Sequence, residues 1–543
     1  MLACWKARPE FFNNIRNNCS RNLRSGLACR AQDQTVSFTE RKKNKKVVIV
    51  GSGWAGLGAA HHLCKQGFDV TVLEGGYELG PKTKSLSPDD ACIRGFWYPY
   101  RNIFNLVNEL GLKPFTSWTK SGQYSEQGLE VEFPIFQDLP QLPTPFGTLF
   151  NTQFVRLPLL DRLTSLPLMA AVIDFDNTDT AWRKYDPITA RELLKQFGCS
   201  ERLFRDVFDP LLQVGLFAPT EQCSAAATLG MLYYFVLANQ KNFDLVWCRG
   251  TVREKIFEPW TESLKSRGCR FLKGRKVTDM VVDEETGCIS QVICEKESFK
   301  TDASIFAVGI STLQEIIQSS AALCAKEEFL KTLNLKSIDL LTVKLVLDRK
   351  VKIPYASNVS TGFDDSSCAW TFFDLSTIYD EYKDSATTII QADFYNANEL
   401  LPLKDEKIVD KVIYWLSKCI KDFENVTVID KEIGRFPKFL THFFPGSYKY
   451  MMRGSTSFPN LYMAGDWIVN RHGSWSEEKS YVSGVEAANR VVEHLEEGSF
   501  GKIDAVEEDE PHIQSLRSFN RNLYDIRAHL NFPFLPHLSI FLS

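Results

Sequence analysis

Lys46 to Glu74, KVVIVGSGWAGLGAAHHLCKQGFDVTVLE, constrains the fold more than any other stretch of the chain, because it holds a strand, a glycine turn, a helix and a second strand in one run. Val47-Val48-Ile49-Val50 is a continuous β-branched run, as a parallel strand covered on both faces requires. Gly51 permits the turn, Gly53 lets backbone approach a pyrophosphate with no Cβ in the way, and Gly56 lets the helix pack closely on the strand. The helix start, with Trp54 and Ala55, then offers phosphate unpaired N–H groups and the positive end of a dipole. Gly67 ends the helix and Val70 to Leu73 form the second strand. Glu74, 21 residues after Gly53, is placed to accept the ribose hydroxyl protons. The flanking strands, the Ala59-Ala60 packing positions and the acid agree, so the segment predicts a bound dinucleotide.

The 543 residues leave room for two or three domains with a shared core. A content of 12% aromatic residues, 39 of them Phe, points to an apolar ligand, to a membrane-facing surface, or simply to a Phe-rich core. Charge is uneven. Residues 1–46 carry +8 and the remainder −12, although the whole chain is only −4. The basic leader, rich in Arg, Asn and Ser and without an apolar secretory core, reads as an organellar transit peptide cut near Cys29 to Ala31, plastid first and mitochondrion second. A disordered basic tail is the plain alternative.

No run of 18 apolar residues lacks charges, so no helix is expected to span a bilayer. Two stretches are candidates for lying on a membrane: Leu157 to Phe175 and the C-terminal run from Leu530 to Leu542. The 14 Cys form no C-x-x-C pair and the 8 His are scattered, so reduced thiols and no metal site are expected. No nucleic-acid partner is expected either.

Beyond Glu74, the loop Gly75-Gly76-Tyr77-Glu78-Leu79-Gly80-Pro81-Lys82-Thr83 is too polar and glycine-rich to be a strand and offers further cofactor contacts. Phe96 to Leu112 predicts a turn and an amphipathic helix with Ile103, Leu106, Val107 and Leu110 on one face. Helical patterns recur at Thr189 to Phe197, Cys223 to Leu237 and Arg253 to Arg267. Strands are expected at Cys269 to Leu272, Lys276 to Asp283, Ser290 to Lys296 and Asp302 to Gly309. Alternation through 338–395 predicts a large second sheet, and Lys404 to Phe423 a helix. The last block is a strand ending in Gly465-Asp466, with a helix expected from Tyr481 to Leu495.

The first fingerprint does not separate FAD from NAD. The distant Gly465-Asp466 does, because just after a strand it resembles the second FAD contact of two-dinucleotide-fold flavoproteins, an element a single NAD site would not need. Together with Gly51 to Glu74, Gly80-Pro81-Lys82-Thr83, Phe96 to Leu112, Trp247 to Ile256 with Val277, and Phe443-Phe444-Pro445-Gly446-Ser447-Tyr448, it makes the chain resemble the flavin amine oxidase superfamily, on the carotenoid (phytoene) desaturase-like branch near the ring desaturases. The likeness covers nearly all of 46–497. It implies an α/β fold, a Rossmann-like two-dinucleotide-binding FAD domain (46–112, 241–330, 455–497) interleaved with an α+β substrate domain (113–240, 331–454), after a leader (1–45) and before a tail (498–543). FAD contacts are expected from Gly51, Gly53, Trp54, Ala55, Gly56, Glu74, Gly75, Lys82, Thr83, Val277, Gly465 and Asp466. The chain departs from the superfamily in having Pro81-Lys82 for Gly-Arg, which contacts phosphate as a point charge instead of a planar fork, and Arg94 where a His is common.

The resemblance implies hydride passing from an apolar, carotenoid-like polyene to flavin N5. Arg94, Tyr98, Arg101, His472 and Trp475 are the candidates for groups near the flavin ring. Quinone or oxygen would reoxidise it, and peripheral membrane association is compatible with the substrate. Amine or protoporphyrinogen oxidation, carotenoid isomerisation and a non-catalytic FAD-stabilised scaffold are the competing readings.

Overall fold

The computed structural model describes residues 44–76, 91–295, 297–360 and 369–530. Its first layer is a five-stranded parallel sheet ordered 461–463, 303–306, 46–50, 69–74 and 270–273. Lys46–Val50 occupies the centre, with Val47 to Val50 registered against Ala303 to Phe306 on one side and Val70 to Leu73 among its partners on the other. Its β-branched run is needed because both faces are covered: Val47 and Ile49 join one hydrophobic cluster, Val48 and Val50 another.

The helix Trp54–Lys65 follows the glycine turn and packs lengthwise against the helix Glu477–Leu495 near the end of the chain. That second helix starts four residues before the expected Tyr481. Ser476 caps it by accepting from Lys479 N at 2.8 Å, which draws the polar run Glu477-Glu478-Lys479 into its first turn.

The chain leaves the parallel sheet after 69–74 and returns to it three times, at 270–273, 303–306 and 461–463. The first and last excursions build an eight-stranded mixed sheet ordered 428–442, 336–347, 389–395, 369–374, 357–360, 121–125, 128–133 and 153–154. Helix Asp405–Cys419 covers one face, setting Val412, Trp415 and Leu416 against Trp370, Phe372 and Phe394. The opposite face looks toward helices Asp209–Leu216 and Ala225–Leu232 across a cavity. A separate three-stranded antiparallel sheet holds 279–282, 289–294 and 297–300, so the strand expected at Lys276 to Asp283 is shorter and lies outside the parallel sheet.

The apolar zone Leu157 to Phe175 is not one surface segment. It breaks at Pro167 into two short helices, and Leu168, Ala171, Val172 and Phe175 are buried in the core. After the second long helix the chain folds back: Asn102 Nδ2 donates to Asp504 O, and helix Pro511–Leu530 packs on Leu168–Asp174. Asn531 to Leu542, most of the C-terminal apolar candidate, lies outside the described residues, as do residues 1–43 of the basic leader.

Candidate active site

The glycine turn behaves as its spacing predicts. Gly51 has φ +102° and a Cβ there would meet Ala307 O at 2.2 Å; a Cβ on Gly56 would meet Gly51 O at 1.9 Å. At Gly53 a Cβ would meet no protein atom within 4 Å, because Gly53 borders an open cavity of about 990 Å³. The helix that starts here has no side-chain cap and no acid in its first turn, which leaves its N–H groups and dipole to an anion. Glu74 is held beside the glycine turn. Its Oε2 accepts from Ser52 N and Ser52 Oγ (3.2 and 2.6 Å) and its Oε1 from Gly76 N at 2.9 Å.

The same cavity is lined at its other end by Asp466, Trp475, Ser476, Glu477 and Ser480. Gly465, at φ +143°, donates its N–H to Ser483 Oγ at 2.8 Å, which pins the Gly-Asp turn to the second long helix. Burial raises the Asp466 carboxyl above the usual range, and the Lys479 cation offsets this in part. Lys479 is itself buried, with Nζ donating to Gly473 O and Ser474 O at 3.3 and 2.7 Å, and burial pushes its ammonium down to about 7 against the pull of Asp466 and Glu486. A dinucleotide therefore finds an uncapped helix start, a Cβ-free approach at Gly53, an acid for the ribose and a second acid at the opposite end. These residues fit FAD, which spans such a length.

Trp54 lines the cavity, its ring meeting Phe257 edge-on at 5.0 Å. Ala55 is buried between the two long helices. Gly75 lies 3.8 Å, from its would-be Cβ, from Lys276 Cα, and the neighbouring Val277 is buried against Val50 and Leu73. Lys82 and Thr83 fall outside the described residues.

Beyond this cavity lies a second of about 1140 Å³, walled by Trp97, Phe133, Phe235, Phe243, Leu245, Trp247 and Phe373 among others. The two share Arg94, Phe217, Leu440, Trp475 and Glu477. A third, of about 820 Å³, shares Phe133, Leu211, Val236 and Phe243 with the second and ends near Pro145, Phe154 and Arg162. The three form a path from the dinucleotide turn across the face of the large sheet.

Of the five candidates for groups near the flavin ring, Arg94 and Trp475 stand at the junction. Trp475 Nε1 donates to Gly215 O at 2.5 Å, and its ring lies 4.5 Å from Phe217. The other three lie elsewhere. Tyr98 packs on Trp118 with Lys241 above its ring; Arg101 is half-exposed and pairs with Glu507 at 2.8 Å; His472 sits in a small pocket beside Glu478 and Arg101. Burial, then the Lys479 cation, drives the His472 imidazole down to about 4.

Sequence reasoning missed Glu477. Arg94 Nη1 donates to its Oε1 at 3.3 Å and Tyr100 OH to its Oε2 at 3.1 Å. Beside it Glu478 accepts from Asn102 N, Asn102 Nδ2 and Ile103 N, and burial raises its carboxyl to about 7. Asp393 lies behind Arg94 and takes N–H bonds from Ile93 and Gln391; burial raises it to about 7.

Comparison with known proteins agrees with this geometry. The family described as flavin containing amine oxidoreductase matches residues 54–492. The chain is 22% identical over 475 residues to a 15-cis-phytoene desaturase of Solanum lycopersicum, covering 84% of this chain and 79% of that protein. It is also 22% identical over 479 residues to a zeta-carotene desaturase of Synechocystis, covering 82% and 97%. Among solved structures, cyclohexylamine oxidase from Brevibacterium oxydans superposes with a TM-score of 0.61 at 14% identity, over 84% of this chain and all of that one. Putrescine oxidase bound to putrescine superposes at 0.59 and 14% identity, over 83% and 99%. The chain belongs to the flavin-containing amine oxidoreductase family and is an FAD-dependent oxidoreductase.

Proposed function

We propose that the protein is a carotenoid desaturase-like enzyme that removes hydrogen from a polyene lying in the sheet-facing path, with FAD held by 46–112, 241–330 and 455–497 and substrate by 113–240 and 331–454. The observation that carries this reading is the junction at Arg94, Phe217, Leu440, Trp475 and Glu477, where the dinucleotide cavity meets a long apolar one. A polyamine would need polar or anionic groups spaced along its length, whereas away from Arg94 and Glu477 these walls are mainly aromatic and aliphatic. The similarity to phytoene and zeta-carotene desaturases points the same way.

Bound FAD supplies a hydride acceptor. The chain must supply a place for the second hydrogen, which leaves the adjacent carbon as a proton while its C–H electron pair becomes the new double bond. Among the described residues shared by both cavities, Glu477 is the one whose carboxylate accepts a proton; an Arg at that place stays charged. Arg94 and Tyr100 hold Glu477 in position, and Trp475, tethered to Gly215 O, holds the polyene edge. The apolar walls exclude water from the transfer.

The outer end of the path opens beside exposed apolar side chains, Phe146, Phe150, Val155, Leu159 and Leu160, the last 79% exposed. Helix Pro511–Leu530 begins next to them, where Thr144 N donates to Glu510 Oε2, and it adds exposed Leu516 and Phe519. We assign this surface to shallow contact with a bilayer, from which a polyene enters and where a lipid-soluble quinone is available as electron acceptor. A plastid location fits the basic leader and the named compartments of the plant relatives.

Anaerobic mixing of the holoenzyme with phytoene- and zeta-carotene-type polyenes, with polyamines and with porphyrinogens tests the reading. Polyenes should bleach the flavin. Bleaching by a polyamine or porphyrinogen alone overturns the proposal. Glu477→Gln should retain FAD and slow bleaching by about 100-fold or more.

A further inference from the structure

Away from Arg94 and Glu477 at the junction, the polar part of the middle cavity's wall is a band on the large sheet. Ser357, Thr371 and Ser121 all line the cavity, from three adjacent strands of the large sheet. Register puts them on one face: Ser357 lies opposite Phe373 on one side and Ser121 on the other, and Phe373 also lines the cavity. Asn358 points its amide the other way, donating Nδ2 to Tyr355 O at 2.9 Å and Phe372 O at 3.4 Å. Thr371 Oγ1 and Tyr395 OH, both at the cavity wall, lie 3.3 Å apart.

Ser357 is only 3% exposed and its Oγ has no hydrogen-bond partner in the protein. A buried hydroxyl left unpaired costs about 1–3 kcal/mol, so folded proteins hold few of them. A hydrocarbon in this cavity would leave Ser357 unpaired, since it offers no donor or acceptor. An oxygen atom would pair with it once the serine side chain turns its buried Oγ toward the cavity.

We infer that the polyene taken by this enzyme carries an oxygen function, a hydroxyl or a carbonyl, which hydrogen-bonds Ser357 Oγ in the middle of the cavity. The inference rests on the polyene reading above and narrows it from hydrocarbons to oxygenated polyenes. The strand of Ser357 is two steps from that of Tyr395, roughly 10 Å across the sheet at about 4.8 Å per step. The oxygen therefore sits well along the chain from the carbon that is oxidised beside Trp475 and Glu477. The bond can select substrate without taking part in the transfer. A site built to pair an oxygen discriminates against the analogue that lacks it more strongly than an apolar pocket discriminates by size.

The test is equilibrium binding to the holoenzyme, read by quenching of tryptophan fluorescence, since Trp97, Trp247 and Trp475 line the cavity. The probes are a hydroxylated carotenoid, its keto analogue, the parent hydrocarbon and a prenylquinone. At least one oxygenated polyene should bind about 10-fold or more tighter than the hydrocarbon, and Ser357→Ala should erase that ratio without weakening hydrocarbon binding or lowering thermal stability. Equal binding of hydrocarbon and oxygenated forms, or a ratio that survives Ser357→Ala, overturns the inference and means that water alone pairs the hydroxyl. Loss of prenylquinone binding alone in Ser357→Ala also overturns it. Failure of every polyene to bind or to bleach the flavin would instead sink the polyene reading itself.

Discussion

Gly484 and Ala55 bring the two long helices into backbone contact: a Cβ on Gly484 would stand 2.0 Å from Ala55 O. One turn away, a Cβ on Gly58 would stand 2.9 Å from the Tyr481 ring. These contacts join the two ends of the dinucleotide cavity, because one helix follows Gly53 and the other follows Asp466.

Gly484→Val should therefore force the helices apart. The obstacle is backbone, which yields less readily than a side chain, so the loss should be about 3 kcal/mol or more. Urea denaturation measures it, and the same variant should purify with little flavin.

Gly51 and Gly53 separate folding from cofactor binding. Gly51→Ala meets Ala307 O at 2.2 Å and requires φ near +102°, so it should lower stability with or without flavin. Gly53→Val projects only into the cavity. It should leave the apoprotein melting temperature unchanged and abolish FAD retention, read from the flavin absorbance of the purified protein; a fully flavinated Gly53→Val would refute the assignment of this turn.

His61 predicts an acid-labile step. Trp260 Nε1 donates to His61 Nδ1 at 3.0 Å, which leaves Nε2–H to donate to Glu109 Oε1 at 3.1 Å and fixes the neutral ring. Burial, aided by Lys65, pushes the imidazole down to about 4. A folded value below the unfolded one means that the unfolded chain binds the extra proton. Stability should thus be fully present above pH 6.5 and fall as pH drops toward 4, by an amount on the order of a few kcal/mol. In His61→Gln, denaturation followed across pH 7 to 4 should show a flatter acid limb.

The exposed apolar side chains offer a test of membrane contact. Phe150→Glu with Leu160→Glu should leave folding intact, as both side chains face solvent, and should cut binding to liposomes at least 10-fold in sedimentation. Unchanged binding would remove these residues from the contact.

The parallel core was legible in sequence because its signals are local: Val47 to Val50, three glycines and Glu74 state strand, turn and acid within one short run. The large sheet was legible as alternation, though the order of its strands was not, since pairing such as Ser357 with Ser121 joins segments far apart. Glu477 was overlooked for a related reason. A Glu-Glu-Lys run reads as a solvated loop, and only Arg94 and Tyr100, brought in from the other end of the chain, turn it into a buried cluster. Tyr98 and Arg101 show the converse: both adjoin a residue of the site in sequence, yet the turn at Pro99 and the helix that starts at Arg101 direct them to Trp118 and Glu507.

The parallel sheet carries a consequence for how the protein matures. Strand 461–463 and the helix after it are the last pieces of the cavity to be synthesised, yet they supply Asp466 and the contact with Ala55. A nascent chain can make the turn at Gly51 to Gly56 early, but it has nothing to grip the far half of FAD until its C-terminal portion has emerged and docked. Flavin loading is therefore a late event that waits on the C-terminal strand and helix.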